Sequence, residues 1–287
     1  MIPTITLNNG LKMPLEGFGT FQMTDFETCK QAVLNALDGG YRLIDTAQVY
    51  RNERAVGAAL RETDIPRNEI FVTTKVWLPF YGIDKTQISV NESLKRMGLD
   101  YLDLVLLHEP YGDYYGAYQA LEKFNHQGIV RAIGVSNFDA GQILDLAHNS
   151  EITPEVNQVE LNLYQQENEL RKIHQELKIR TEAWAPLGEA SGQILAEPAV
   201  EKIAQQYHKT VAQVLLRYLI QLDAVIIPKS SHKKRMLENS DIWNFSLTLD
   251  EMDQLAKLNK NKWLSPDRHS LSATKHYQDL IDQGLDY

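Results

Sequence analysis

The sequence predicts an α/β chain folded as one (β/α)8 TIM barrel, with an N-terminal β-hairpin before it and a C-terminal segment closing beside its mouth. Three observations carry this. Eight short apolar runs recur along the chain. Segments with helical spacing of apolar residues lie between them. The runs are apolar on both faces, as strands of a parallel sheet covered by helices must be. No Gly/Ser-rich linker or like-charge block divides the sequence, so residues 1–287 read as a single domain, a length that barrels of this kind routinely use.

The elements follow in order. ITLNNG and LKMPLEG form the opening hairpin, and GFGTF (17–21) is the first, short barrel strand. The next strands are RLIDT (42–46), IFVTTK (70–75), DLVLLH (103–108), VRAIGVS (130–136), EVNQVEL (155–161), RTEAWA (180–185) and AVIIPKS (224–230). Between them, 25–38 places Phe26, Val33, Leu34 and Leu37 at helical spacing, and the stretches Ile88–Met97 and Glu167–Leu177 behave alike. A further helix is expected to start near Ser231.

The formal net charge of -9 argues against nucleic acid or an anionic membrane as the main partner. One cysteine, Cys29, permits no intrachain disulfide. The opening MIPTITLNNG has neither a basic stretch nor an apolar core of the secretory kind, and no run of about 18 apolar residues occurs. The expectation is a cytoplasmic monomer, with the N-x-S sequons at Asn91 and Asn244 arising by chance. The histidines form no metal-ligating pattern such as HExxH, so no metal is expected.

Function in a barrel sits at the C-terminal strand ends. Three strands carry an ionisable group there: Asp45 in RLIDT, Lys75 ending IFVTTK and His108 ending DLVLLH. The spacings of 30 and 33 residues are each one strand–helix unit, so the three converge on one mouth. Tyr50 follows Asp45 by five residues and can fold over the same opening. Singly, Asp45 could cap a helix, Lys75 could snorkel and His108 could be structural. Jointly they have one purpose. A buried lysine needs a carboxylate, so Lys75 and Asp45 should pair. Lys75 beside Tyr50 should stabilise tyrosinate and draw its pKa toward working pH. His108 can orient a carbonyl oxygen. The set suits proton delivery to an oxygen that gains charge as hydride adds to its carbon.

Over nearly its whole length the sequence resembles the aldo-keto reductases. GFGTF (17–21), GGYRLIDTAQVYRNERAVGAAL (39–60), TTKVW (73–77), LDYLDLVLLHEP (99–110), VRAIGVSNF (130–138), VNQVE (156–160), AWAPLG (183–188) and IPKS (227–230) match the family pattern in order. HEPYGDYYGAYQALEK (108–123) is most similar to the bacterial 2,5-diketo-D-gluconate reductase-like branch. The resemblance implies NADPH-dependent reduction of aldehydes and ketones, with the tetrad Asp45, Tyr50, Lys75 and His108 and with Tyr50 as general acid. It implies that His108, Trp77 and Glu109 face a small-molecule carbonyl substrate.

The segment GFGTFQ lacks the third glycine of a dinucleotide-binding fingerprint and follows a hairpin, so it is not one. Ser136, Asn137 and Gln158 are neutral hydrogen-bonding groups suited to a carboxamide, and Trp184 can stack on nicotinamide. The resemblance assigns these four to the nicotinamide end. It gives Gly19, Thr20, Phe21 and Asp45 to cofactor contact, and Ala185, Pro186, Leu187 and Gly188 to the pyrophosphate path. Lys229, Ser230, Lys233, Lys234 and Arg235 make a basic cluster at a helix start, a good phosphate site in an acidic chain. In the family the matching lysine, serine and arginine hold the 2′-phosphate, with Glu238 and Asn239 by the adenine, so NADPH is favoured over NADH.

Glu109 stands where many members carry tryptophan, Asn162-Leu163 where His-Pro is frequent, and Leu43 where histidine is frequent. The segment from Lys260 to Tyr287 departs from the usual ending and is expected to shape the substrate pocket. Two rivals remain at this level. One is a Schiff-base barrel with Lys75 as nucleophile. The other is a non-catalytic nucleotide sensor or channel-associated subunit of the same fold.

Overall fold

The computed structural model describes residues 2–190, 192–264 and 270–284. Strands β1 (Thr4–Thr6) and β2 (Lys12–Pro14) pair antiparallel, Ile5 opposite Met13. Eight strands then form one parallel sheet in chain order: β3 (Phe18–Gly19), β4 (Leu43–Asp45), β5 (Phe71–Val76), β6 (Leu104–Leu107), β7 (Ile133–Ser136), β8 (Val156–Glu160), β9 (Arg180–Trp184) and β10 (Val225–Ile226). The sheet closes on itself. Glu16 bridges Ile226 in parallel, and Gly17 N donates to Ile226 O at 2.8 Å. The expected (β/α)8 barrel and its hairpin are both present.

Helices α1 (Phe26–Asp38), α2 (Glu53–Glu62), α3 (Ile83–Met97), α4 (Tyr114–His126), α5 (Ala140–Asn149) and α6 (Asn168–Leu177) follow β3 to β8 in turn. After β9 come α7 (Gly192–Leu195), α8 (Pro198–Tyr207) and α9 (Val211–Gln221), and after β10 come α10 (Lys233–Ser240), α11 (Leu249–Ala256) and α12 (Leu271–Gln283). Their starts are locally specified. Asp25 accepts from Thr28 N at 2.8 Å to begin α1, and Asp139/Gln142 and Thr248/Glu251 form reciprocal capping boxes on α5 and α11. Helix α3 begins five residues before the stretch its apolar spacing suggests, and α10 begins at Lys233, two residues beyond Ser231.

Strands β4 to β8 are buried at every position, because helices cover one face and the barrel interior the other. Alternation decides which side chains point inward. Leu43, Phe71, Leu104, Val156 and Val225 fill the lower interior, and the hairpin plugs the base with Leu7 and Met13, which are 2% and 0% exposed. Gly134 lies where a Cβ would sit 2.4 Å from Val156 O and 2.8 Å from a Leu106 methyl, so β7 can approach its neighbours only without a side chain there. The alternation that puts leucines at the base puts Asp45, Lys75, Ser136, Gln158, Glu182 and Trp184 on the inward register nearer the mouth.

The C-terminal helix packs on the turn Leu78–Phe80, and Tyr277 stacks on Tyr111 with ring centroids 4.5 Å apart. The described part of the C-terminal segment thus covers loops that leave β5 and β6; residues 265–269 and 285–287 lie outside the described residues. No helix among the described residues is long and apolar enough to cross a membrane.

Candidate active site

Asp45 ends β4 and Lys75 sits inside β5, one strand away. Lys75 Nζ lies 2.7 and 2.8 Å from the two Asp45 carboxylate oxygens and donates to Thr46 O at 3.0 Å. Its three N–H donors are thereby all used. Both residues are almost fully buried, at 0% and 2% exposure. Burial opposes the lysine's charge, but the Asp45 carboxylate outweighs it, with help from Tyr50, and Lys75 is held above the ordinary lysine range. A permanently charged ammonium is a poor nucleophile, which weighs against a Schiff base at Lys75.

Tyr50 stands on the 3-10 turn Gln48–Tyr50, which ends where Arg51 turns left-handed at φ 57°. Two side chains fix this turn. Gln48 donates to Ser89 and Ser93 on α3 and accepts from Trp77 N at 3.0 Å. Asn52 accepts from Thr46 Oγ1 at 2.6 Å and donates to Thr20 O at 2.9 Å. Neither residue stands out in the sequence, and nothing in the spacing marks them; both act by holding backbone that other residues use.

Lys75 Nζ lies 5.1 Å from the Tyr50 ring centroid. Burial pushes the Tyr50 hydroxyl up, Lys75 pulls it down and Asp45 pushes it up again, leaving it at about 12. This corrects the expectation of a phenol drawn toward working pH. Lys75 acts in the expected direction, but desolvation is larger, so at neutral pH the hydroxyl keeps its proton. His108 follows β6, with its ring edge-on to Tyr50 at 5.7 Å and to Trp77 at 5.0 Å. Phe21, 47% exposed, leans over Tyr50 at 5.1 Å.

The neutral groups lie across the mouth, and most of their donors are spent inside the protein. Ser136 Oγ donates to Gln158 O at 2.9 Å. Asn137, held at φ 64°, donates to His108 O and to a Glu109 carboxylate oxygen, both at 3.1 Å, and accepts from Trp184 Nε1 at 2.9 Å. Gln158 Nε2 donates to Asp45 at 2.9 Å and Glu182 at 2.8 Å. With these donors used, what the three side chains have left to offer is acceptor oxygen, which suits the NH2 of a carboxamide. Glu109 is 4% exposed, so it does not point to solvent, and it accepts from Asn137. Thr20 is buried, with its hydroxyl donating to Asp45 O at 3.1 Å.

A second group lies beyond the mouth. Lys229 and Arg235 are exposed, and neither pairs with a carboxylate among the described residues. Ser230 and Asn239 are buried, and Glu238 is half-buried on α10. His232 precedes that helix without a side-chain cap on its first N–H groups, so the start favours an anion. Gly19 adjoins both groups: a Cβ there would lie 3.1 Å from Ile227 O and 3.8 Å from Lys229 Cβ. The turn Ala185–Gly188 leaves β9 beside them, with Ala185 left-handed at φ 48° and Gly188 N donating to Ala185 O at 2.9 Å. Pro186 and Leu187 complete it.

The sequence matches the aldo/keto reductase family profile over residues 17–260. This chain belongs to the aldo/keto reductase family. It is 42% identical to an aldo-keto reductase of Mycolicibacterium smegmatis over 277 residues, covering 96% of this chain and 100% of that one. It is 41% identical to the glyoxal reductase of Bacillus subtilis, over 93% of this chain and 97% of the relative. Among solved structures, an aldo-keto reductase of Bombyx mori in complex with NADP superposes with a TM-score of 0.89 at 36% identity, covering 93% of this chain and 96% of that one.

Among the buried carboxyls of this aldo/keto reductase that no sequence motif marks, Glu182, 0% exposed and beneath Trp184 on β9, shares a hydrogen-bond donor with Asp45. Counting back two residues from Trp184 puts Glu182 on the same inward face, so the period of the strand carried the signal.

Proposed function

We propose that this aldo/keto reductase reduces neutral aldehydes, ketones or dicarbonyls with NADPH, as a cytosolic single-domain enzyme, with Tyr50 as general acid. The observation that carries the reading is the buried Asp45–Lys75 pair lying directly behind the Tyr50 ring. When bound, the dihydronicotinamide supplies hydride to the carbonyl carbon. The Tyr50 hydroxyl gives its proton to the carbonyl oxygen, and Lys75 stabilises the phenolate left behind. His108 and Trp77 wall the substrate against Tyr50, and His108 orients the oxygen.

The residues present fit the cofactor by donor chemistry. Ser136, Asn137 and Gln158 offer acceptors to a carboxamide NH2, and Trp184, fixed through Asn137, offers a flat face to the ring. Gly19, Thr20 and Phe21 flank that face, and Ala185, Pro186, Leu187 and Gly188 lie along the path of a pyrophosphate. Lys229, Ser230 and Arg235 would hold the 2′-phosphate, with Glu238 and Asn239 beside the adenine. The NADP complex of the Bombyx mori relative supports this cofactor, and the Bacillus subtilis glyoxal reductase supports small carbonyls as the substrate class. A buried Glu109 beside the mouth favours neutral over anionic substrates.

Two measurements test the reading. Consumption of NADPH with a panel of aldehydes, ketones, ketoses and dicarbonyls should show turnover; none with any class would reject it. Arg235→Ala and Lys229→Ala should each weaken NADPH by about 1.5–3 kcal/mol and leave NADH nearly unchanged, since only NADPH brings the extra phosphate. Fluorescence quenching gives both dissociation constants, and equal losses for the two cofactors would place these residues elsewhere.

A further inference from the structure

Two buried carboxyls and one cation share the barrel interior below Tyr50. Lys75 spends its three donors on both oxygens of Asp45 and on Thr46 O. Gln158 Nε2 bridges the two acids, donating to Asp45 at 2.9 Å and to Glu182 at 2.8 Å. Glu182 Oε1 receives no hydrogen bond among the described residues, although it is fully buried. The charged groups acting on Glu182 are Asp45 from β4 and Lys75 from β5, and Lys75 in turn feels both Glu182 and Tyr50. Neighbouring β8 offers the neutral Gln158, and β10 the apolar Val225 opposite Glu182.

One lysine balances one carboxylate. With Asp45 ionised and paired, an ionised Glu182 would leave the interior with an uncompensated negative charge in a low-dielectric site. We propose that Glu182 is a positioning residue that works as a neutral acid behind the catalytic group, and that its ionisation turns carbonyl reduction down at alkaline pH. Reduction leaves negative charge on Tyr50 that Lys75 must stabilise, and an ionised Glu182 would compete for that one cation. In the neutral form Glu182 still accepts from Gln158 and keeps that amide turned so that its oxygen faces the mouth. Burial pushes the Glu182 carboxyl up to about 8, Asp45 adds to the rise, and Gln158 and Lys75 only partly offset it. The kinetic part of the inference rests on Tyr50 being the proton donor.

The test is the pH dependence of kcat, separated from KM, for reduction of a neutral aldehyde between about pH 6 and pH 10. The native enzyme should lose kcat as pH rises, with a midpoint near pH 8. Glu182→Gln, whose amide oxygen can still accept from Gln158, and Glu182→Met, which cannot, should both abolish that fall, and Glu182→Met should in addition raise the KM for NADPH as the Gln158 amide loses its anchor. An activity-independent arm follows from linkage. A carboxyl raised in the folded state makes the native protein lose stability as pH rises from about 4.5 to about 8, and no further above. The melting temperature of Glu182→Gln should therefore gain on the native enzyme across that window and then stay level. A flat native profile, variants that retain the alkaline fall, or a constant difference in melting temperature would each overturn the inference. Normal turnover by Tyr50→Phe would instead defeat the proton-donor reading, and would leave the melting result standing for the protonation of Glu182.

Discussion

Tyr50→Phe is expected to lower kcat for carbonyl reduction by about 10²–10⁴-fold, the usual worth of a positioned general acid. NADPH affinity should hardly change. The substitution removes one oxygen and keeps the ring, so the contacts to Phe21 at 5.1 Å and His108 at 5.7 Å survive. The Gln48 and Asn52 bonds that fix the turn do not involve the hydroxyl, so the site should stay assembled. The loss then falls on the chemical step, the signature of an interaction made in the transition state alone. Steady-state absorbance gives kcat and fluorescence quenching gives the cofactor constant. Near-normal turnover by the Tyr50→Phe variant would mean that another group delivers the proton.

Lys75→Met should cost both activity and stability. Asp45 would be left 2% exposed with Gln158 as its remaining side-chain donor, and breaking a buried pair from one side typically costs about 3–5 kcal/mol. Turnover should fall at least as far as for Tyr50→Phe, since the phenolate loses the cation behind it. The double variant Asp45→Asn/Lys75→Met separates the two effects. It removes the orphaned charge and should recover much of the stability in urea unfolding while remaining inactive. A single Lys75→Met variant as stable as the native protein would show that Asp45 simply takes up a proton. Full activity at neutral pH would show that Lys75 does not tune Tyr50.

The barrel and the meeting of Asp45, Lys75 and His108 at one mouth were legible because both follow the strand–helix period. The spacing from Asp45 to Lys75 to His108 repeats the strand–helix unit, and convergence at one mouth follows from parallel strands alone. Distances between residues far apart in sequence were not legible. Glu182 reaches Asp45 only through Gln158, across 24 and 113 residues of chain, and no local pattern announces such a bridge. The Tyr50 pKa departs from the expectation for a related reason. The attraction of Lys75 can be guessed from a motif, whereas desolvation is a property of everything packed around the ring. The Asn137 partners were hidden in the same way, since a left-handed residue at φ 64° aims its amide where neither strand nor helix geometry would send it.

The hairpin that plugs the barrel base has a consequence for traffic. With Leu7 and Met13 packed together with Leu43, Phe71 and Leu104, the barrel is closed at its base and leaves the strand ends of the mouth as the approach. Under the proposed function, whatever sits deepest, against Trp184 and the acceptor oxygens, enters first and is trapped by whatever follows it. Product must then clear the doorway before spent dinucleotide can depart. Turnover becomes a last-in, first-out queue, and a bulky alcohol lingering at the entrance would slow the exchange of the nucleotide beneath it.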